Sequence, residues 1–353
     1  MRRGEEAMVP EAEFRSYYGQ PIIKAPIWHE PHMPLYLYLG GTSGAASVIS
    51  AVATLTGRDR LALTARVTAA AGAAAGAGFL VAELGRPERF LNMLRVFKPT
   101  SPMSVGSWLL AAHSGLTALS AASALVTARS ERARPVPGIP ARFLSRVPAR
   151  FLSRIPARPV PPIPFLPVGI TRVLPAAGDV AALAAVVTGP LMSTYTAVLV
   201  ADTAVPAWHE AHRELPFLFA GSALAGAGAV GMLATPRREA GPARAVAVLG
   251  AAVETVAGAV MEHRLGLVGE PYRLGRSGRL MRAARALTVG GALLATVAGR
   301  GRALGALSGL ALTAGALLTR FGVLAAGKAS AADPKYTVVP QRERVRASAG
   351  EGS

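Results

Sequence analysis

Along this chain, long apolar stretches alternate with short polar connections. A helix that crosses a bilayer needs about 20 mostly apolar residues. Eight stretches read as such helices: residues 34–56, 61–82, 104–128, 173–201, 215–234, 243–261, 283–299 and 303–326, the seventh being the weakest. The pattern predicts an all-α membrane protein of about eight transmembrane helices. Alanine and glycine, rather than leucine, fill these stretches. Small residues let helix backbones approach closely in lipid, so a tightly packed assembly is expected.

The polar stretches divide the chain further. Residues 1–33 form a polar N-terminal segment with Glu5, Glu6, Glu11 and Glu13, and lack the apolar core of a cleavable signal peptide. Residues 34–128 carry helices one to three and a connecting motif at 83–108. Residues 129–172 are rich in proline and arginine, and within them the octets 139–146 and 147–154 repeat the motif PARFLSR. Eight residues is too short for a solenoid unit, and proline at this density prevents regular helix, so a flexible basic loop is expected. Residues 173–326 carry helices four to eight, and 327–353 read as a polar, mobile tail.

Composition narrows the class. The chain is 51% hydrophobic and 16% charged, with mean hydropathy +0.37, against about 25% charged in soluble proteins. It has no cysteine, which excludes disulfides, thiolate zinc sites and protein-ligated iron–sulfur clusters in this chain. The net charge is +18. Because the arginines cluster at the ends and between apolar runs, that charge suits lipid headgroups and topology rather than nucleic acid.

Eight spans place both termini on one side of the membrane. That terminal face gathers the segment before helix one, with Trp28, His29 and His32; the connection after helix two; and residues 202–214, with Trp208, His209, Glu210 and His212. Four of six histidines and two of three tryptophans lie there. Each alone reads as an ordinary interfacial residue; three segments converging is less easily accidental. Only His113 lies well inside a helix, so there is no second intramembrane histidine for a bis-histidine haem.

The connection 83–108 reads ELGRPERFLNMLRVFKPTSPMSVGSW. It leaves helix two with the acid Glu83, turns at Gly85 and Pro87, and sets Arg86, Arg89, Arg95 and Lys98 as a positive cluster. This stretch resembles the NrfD/polysulfide-reductase family of membrane subunits, whose second helix is followed by a [DE]-LGRPxRF…KPxSxMSxGxW pattern. PLYLYLGGTSGAAS, residues 34–47, and the stretch 188–224 are similar to that family too. The resemblance implies two four-helix bundles in the cell membrane, without haem. It implies partnership with a ferredoxin-like four-cluster iron–sulfur subunit, often with a molybdopterin catalytic subunit beyond it. It also implies exchange with a quinone (menaquinone or ubiquinone) near the partner-facing end of the first bundle. The chain would then be a quinone-reactive subunit rather than a complete enzyme.

Quinol oxidation releases two protons and two electrons, and needs polar groups that bond the quinone oxygens and take protons within an apolar slot. His29 and His32 are the candidate oxygen partners, Glu83 the proton acceptor and Arg86 the group that tunes it. Thr194 and Tyr195 follow Gly189–Pro190, a pair expected to kink helix four and open a site. Arg89, Arg95, Lys98 and Trp208 are the expected docking surface. Ionisable residues within spans are functional candidates, so Asp179, Asp202 and Glu254 are considered with Glu83 as a proton route; Glu254 alternatively stays protonated against a neighbouring carbonyl. No metal site is expected. Two other readings stay open: a non-catalytic anchor for redox subunits and a secondary transporter.

Overall fold

A computed structural model describes residues 22–132 and 168–350; the first 21 residues and the repeated PARFLSR segment lie outside the described residues. Eight helices are long and apolar enough to cross a membrane, and no strand occurs among the described residues. They are α1 (His32–Leu55), α2 (Asp59–Glu83), α3 (Pro102–Arg132), α4 (Val168–Ala201), α6 (Leu215–Ala234), α7 (Gly241–Arg264), α9 (Gly275–Val297) and α10 (Arg302–Ala332). Short helices α5 (Pro206–His209) and α8 (Glu270–Arg273), a 3-10 helix at Pro87–Leu94 and the C-terminal α11 (Lys335–Gly350) sit on the terminal face.

The first four spans close a ring, α1 on α2, α2 on α3, α3 on α4 and α4 on α1, and the last four close another through α6, α7, α9 and α10. The bundles join where α1 lies against α6 and α10 and α4 lies against α6. Glycine makes these seams close. A Cβ on Gly44 would strike the Gly189 carbonyl and the Ser193 hydroxyl, so α1 and α4 meet backbone to backbone. In the second bundle, Gly221 and Gly250 bring α6 onto α7 in the same way. Without a hydrophobic driving force between helices in lipid, such close packing and interhelical hydrogen bonds hold them together.

The two ends of the molecule are filled differently. At the terminal end the core contains Met33, Tyr36, Trp208, Phe219, Tyr272 and Met281. At the other end it is mostly alanine, with Ile49, Leu61, Met232 and Leu312. Large rings and polar tips are thus concentrated where the chain carries its candidate chemistry.

Three expectations are revised. α4 runs unbroken through Pro175 and Pro190, so Pro190 does not open the helix. α9 begins at Gly275, well before the apolar run, because Ser277, Gly278, Met281 and Ala284 bury on one face while Arg276, Arg279, Arg282 and Arg285 stay exposed. Helical periodicity, not continuous apolarity, sets that boundary. The tail is not a featureless extension: α10 continues past Lys328 by burying Ser330 and Ala331, and α11 follows.

α11 is anchored by charge. Lys335 Nζ reaches Glu270 Oε2 at 2.8 Å, and the Tyr336 hydroxyl donates to the same oxygen at 3.2 Å. The hydrogen bond from Lys335 holds the Glu270 carboxyl below its ordinary range, and the same bond raises the Lys335 ammonium. A depressed carboxylate stabilises the folded state above its unfolded value, about 4.3, and loses that contribution as pH falls through the lower folded value. A raised lysine contributes below about 10.4 and loses it as pH rises through the higher folded value. Attachment of α11 is therefore expected to be greatest between these limits and to loosen on acidification, read as lower amide protection factors over residues 335–346, with the intrinsic pH dependence of exchange divided out. Glu270→Gln is expected to show the loosened exchange already at neutral pH.

Candidate functional site

α2 ends at Glu83 and α1 begins at His32, so the close antiparallel packing of these helices brings the two together at the terminal face. The Glu83 carboxylate is 8% exposed. Its Oε1 accepts from the His29 backbone N–H at 2.7 Å and lies 3.2 Å from His29 Nδ1. Its Oε2 lies 3.5 Å from His32 Nδ1, too far for a hydrogen bond, and is a buried oxygen with no hydrogen-bond partner. His32 also faces the Phe79 ring, 6.2 Å between centroids. A carboxylate, two imidazoles and an aromatic ring thus lie together at the terminal face.

The segment before α1 is held by both bundles. Trp28 stacks on Trp208 at 5.2 Å, and Glu30 pairs with Arg276 at 2.6 Å. Trp208, expected on a docking surface, is 1% exposed. Its indole N–H donates to the Val323 carbonyl at 2.8 Å, and a Cβ on Gly327 would strike its ring. Trp208 therefore positions the terminal face from within and offers no free surface.

Arg86 is also corrected. The chain leaves α2 extended at Leu84 (φ −74°, ψ 131°), which carries Arg86 out to an exposed groove with Gly85, Arg89 and Met93. Among the described contacts, His29 and His32 flank Glu83 and Arg86 does not. Arg89, Arg95 and Lys98 are exposed, beside exposed Leu91, Val96 and Phe97.

The rest of this connection is shaped by small hydroxyls. Ser104 Oγ accepts from the Lys98 N–H at 3.0 Å and donates to the Val96 carbonyl at 3.1 Å; Trp108 Nε1–H reaches the same carbonyl at 3.4 Å. Phe97 packs edge-on against Trp108. Gly106 makes room for a ring, because a Cβ there would strike Tyr195. Tyr195 hydrogen-bonds Tyr36, which is 2% exposed. Sequence reasoning missed Tyr36; its signal is its place one turn after His32 in the same helix. Thr194 turns instead to the Pro190 and Leu191 carbonyls of its own helix, at 2.9 and 3.3 Å.

The four acids of the expected proton route are not gathered. Asp179 pairs with Arg66 at 2.8 Å in the first bundle. Asp202 is exposed in the turn after α4. Glu254 is buried in the second bundle, accepting from Thr319 at 2.5 Å and Thr288 at 3.4 Å. Arg320, next to Thr319, donates to the Phe219 carbonyl at 2.9 Å and lies over its ring at 3.7 Å. His209 and His212 bond backbone carbonyls near α5. Among the described residues, no group of three or more His, Cys, Asp or Glu is placed to hold a metal ion.

The family model for polysulphide reductase, NrfD, matches residues 21–261, a range that contains the connection after α2 and the helices that flank it. This chain belongs to the NrfD family. Comparison with curated proteins finds no matching sequence. NrfD membership indicates a multi-pass membrane subunit of a redox complex, in a family whose subunits generally interact with quinones and associate with iron–sulfur and molybdopterin redox subunits. The match runs from the pre-α1 segment through Met261 and so includes His29, His32, Glu83 and the basic connection of this NrfD chain.

Gly106→Val is expected to push Tyr195 off Tyr36 and cost about 1–3 kcal/mol by overpacking, read as a lower thermal midpoint of the solubilised chain. Gly115→Val, at a position open to its surroundings on the same helix, is expected to leave the midpoint unchanged.

Proposed function

We propose that this NrfD subunit exchanges electrons between a membrane quinone and a partner iron–sulfur subunit, at the terminal end of the first bundle. The observation that carries the reading is the buried Glu83 carboxylate, with one oxygen unpartnered, set between two histidines at the membrane edge. A quinol bound there supplies two electrons and two protons. In this reading His32 and His29 bond its oxygens, and the Phe79 ring, close to His32, offers an apolar flank. Glu83 Oε2 has a free lone pair for one proton, an adjoining imidazole takes the other, and the two electrons pass to the partner's clusters. The Tyr36–Tyr195 pair stiffens the floor beneath.

The exposed cluster of Arg89, Arg95 and Lys98, interleaved with Leu91, Val96 and Phe97, suits docking of an acidic, partly apolar partner surface. The partner in this reading is the ferredoxin-like four-cluster iron–sulfur subunit, with a molybdopterin subunit beyond it, in the cell membrane. The quinone in this reading is menaquinone or ubiquinone, both of which present two ring oxygens to be bonded.

The test is to solubilise the protein gently from its native membrane, add menaquinol, and record cluster reduction by electron paramagnetic resonance. A quinol-reducible cluster is expected. Loss of general acid–base chemistry typically slows a step by about 10²–10⁴-fold, so Glu83→Gln is expected to slow cluster reduction by at least tenfold, and His32→Ala to weaken it. Co-purifying clusters that quinol does not reduce, and that do not reduce quinone when supplied with electrons, would leave a structural anchor. Absence of any iron–sulfur partner would favour a transporter.

A further inference from the structure

The first bundle contains a buried polar seam that the quinone reading does not use. On α1, Ser43, Ser47, Ser50 and Thr54 recur every three or four residues and so lie along one face. At about 1.5 Å per residue they span roughly 16 Å, about half the hydrocarbon thickness. On α3, His113, Thr117 and Ser120 run alongside, each at most 3% exposed. The seam begins at His113, in the middle of the bundle, and ends at Arg66 and Asp179, toward the face opposite the termini.

His113 is bonded at both nitrogens. Ser43 Oγ donates to the Ala69 carbonyl at 2.6 Å, so it accepts from His113 Nε2–H at 3.0 Å. His113 Nδ1 lies 2.8 Å from Thr188 Oγ1, whose proton has a second acceptor, the Ala185 carbonyl at 3.3 Å. Nδ1 thus accepts from Thr188 in one state and holds a proton of its own when Thr188 turns to Ala185.

Beyond His113 lies a cavity of about 10 Å³ lined by Ser47, Ser50, Arg66, Thr117 and Ser120, with alanines of α2 and α4. That is the room one water needs. Ser50 Oγ, Ser120 Oγ and Arg66 Nε are buried without a partner, and an unsatisfied polar group is costly within a bilayer. A water accepting from Arg66 Nε and bonding both serines satisfies all three. Arg66 Nη2 meanwhile holds Asp179 at 2.8 Å and Thr54 at 3.3 Å. The Asp179 side chain is 38% exposed, so the seam reaches the surface of the bundle there.

We propose that this seam is a hydrated proton inlet from the face opposite the termini to His113. Asp179 takes a proton from bulk water, the enclosed water and hydroxyls each accept one proton and release another, and the imidazole becomes imidazolium. Water is regenerated at each step, and no electron moves. The proposal stands independently of the quinone site at the terminal face.

The natural absence of cysteine makes a direct test available. Silver ion, close to water in size, captures a thiol only where water reaches it. In the full chain in nanodiscs, Ser50→Cys and Ser120→Cys are expected to be silenced by silver, read as lost maleimide labelling after denaturation, at least tenfold faster than Ala53→Cys. Ala53 is 0% exposed in the alanine core of the same helix. A lipid-facing control is Val52→Cys, 45% exposed. Equal rates at all four positions would overturn the inlet. A second measurement needs no cysteine: solvent deuterium exchange at the His113 ring N–H, read by nitrogen-15 resonance. It is expected to be slowed at least tenfold by Ser50→Val and unchanged by Ala53→Val. Exchange in the unsubstituted chain no faster than that of the surrounding helix amides, or indifferent to Ser50→Val, would overturn it as well.

Discussion

The close approach of α1 and α4 at Gly44 and Gly189 is the contact on which most of this structure depends. Two backbones meet there with no side chain between them, and everything along the seam takes its place from that spacing. Toward the terminal face it brings Tyr36 to Tyr195. Toward the other face it lets Ser47 donate to the Ala185 carbonyl at 3.0 Å. Ser43 and Thr188 then stand on either side of His113. A helix pair separated by leucines would hold these small hydroxyls too far apart to meet. Because α1 also borders α6 and α10, the same helix sets the relation between the bundles.

At the terminal face the constraint changes from packing to satisfaction of polar groups. The connection after α2 holds only the 3-10 helix Pro87–Leu94 as regular structure, so carbonyls at and beyond its end need other partners. Ser104, Ser107 and Trp108 supply them from the first turns of α3. The serines, glycine and tryptophan of this stretch thereby have distinct parts: two hydroxyls and an indole N–H hold the loop, and Gly106 leaves room for Tyr195. The basic residues of the loop are thereby left pointing outward. The Trp28–Trp208 stack does the corresponding work between the bundles, with its polar edge tied to Val323.

The ionisable residues within the spans divide by bundle. Asp179 with Arg66 belongs to the first bundle, and Glu254 beside Arg320 to the second. Each acid has hydroxyl or guanidinium neighbours, as expected where a bare charge is costly. They are separate local solutions rather than one continuous path. The hydrated seam at His113 runs through the first bundle alone.

The sequence by itself determined the class: eight apolar runs of spanning length require helices, since only internally bonded backbone crosses lipid. It also marked the connection 83–108, because its residue types and spacing are local and survive reading along one dimension. That Glu83 lies beside His29 and His32 was legible because they flank helix ends that adjacent antiparallel helices bring together. What it did not reveal were the roles of residues defined by side-chain direction. Arg86 looked like a neighbour of Glu83 but leaves with the extended backbone at Leu84, and Trp208 looked superficial but turns inward onto Trp28. Tyr36, Gly106 and His113 acquire meaning only from partners up to 159 residues away. Those contacts depend on which face of each helix turns inward, and in lipid, where nearly every face is apolar, hydrophobic patterning does not reveal that; only tertiary packing decides it.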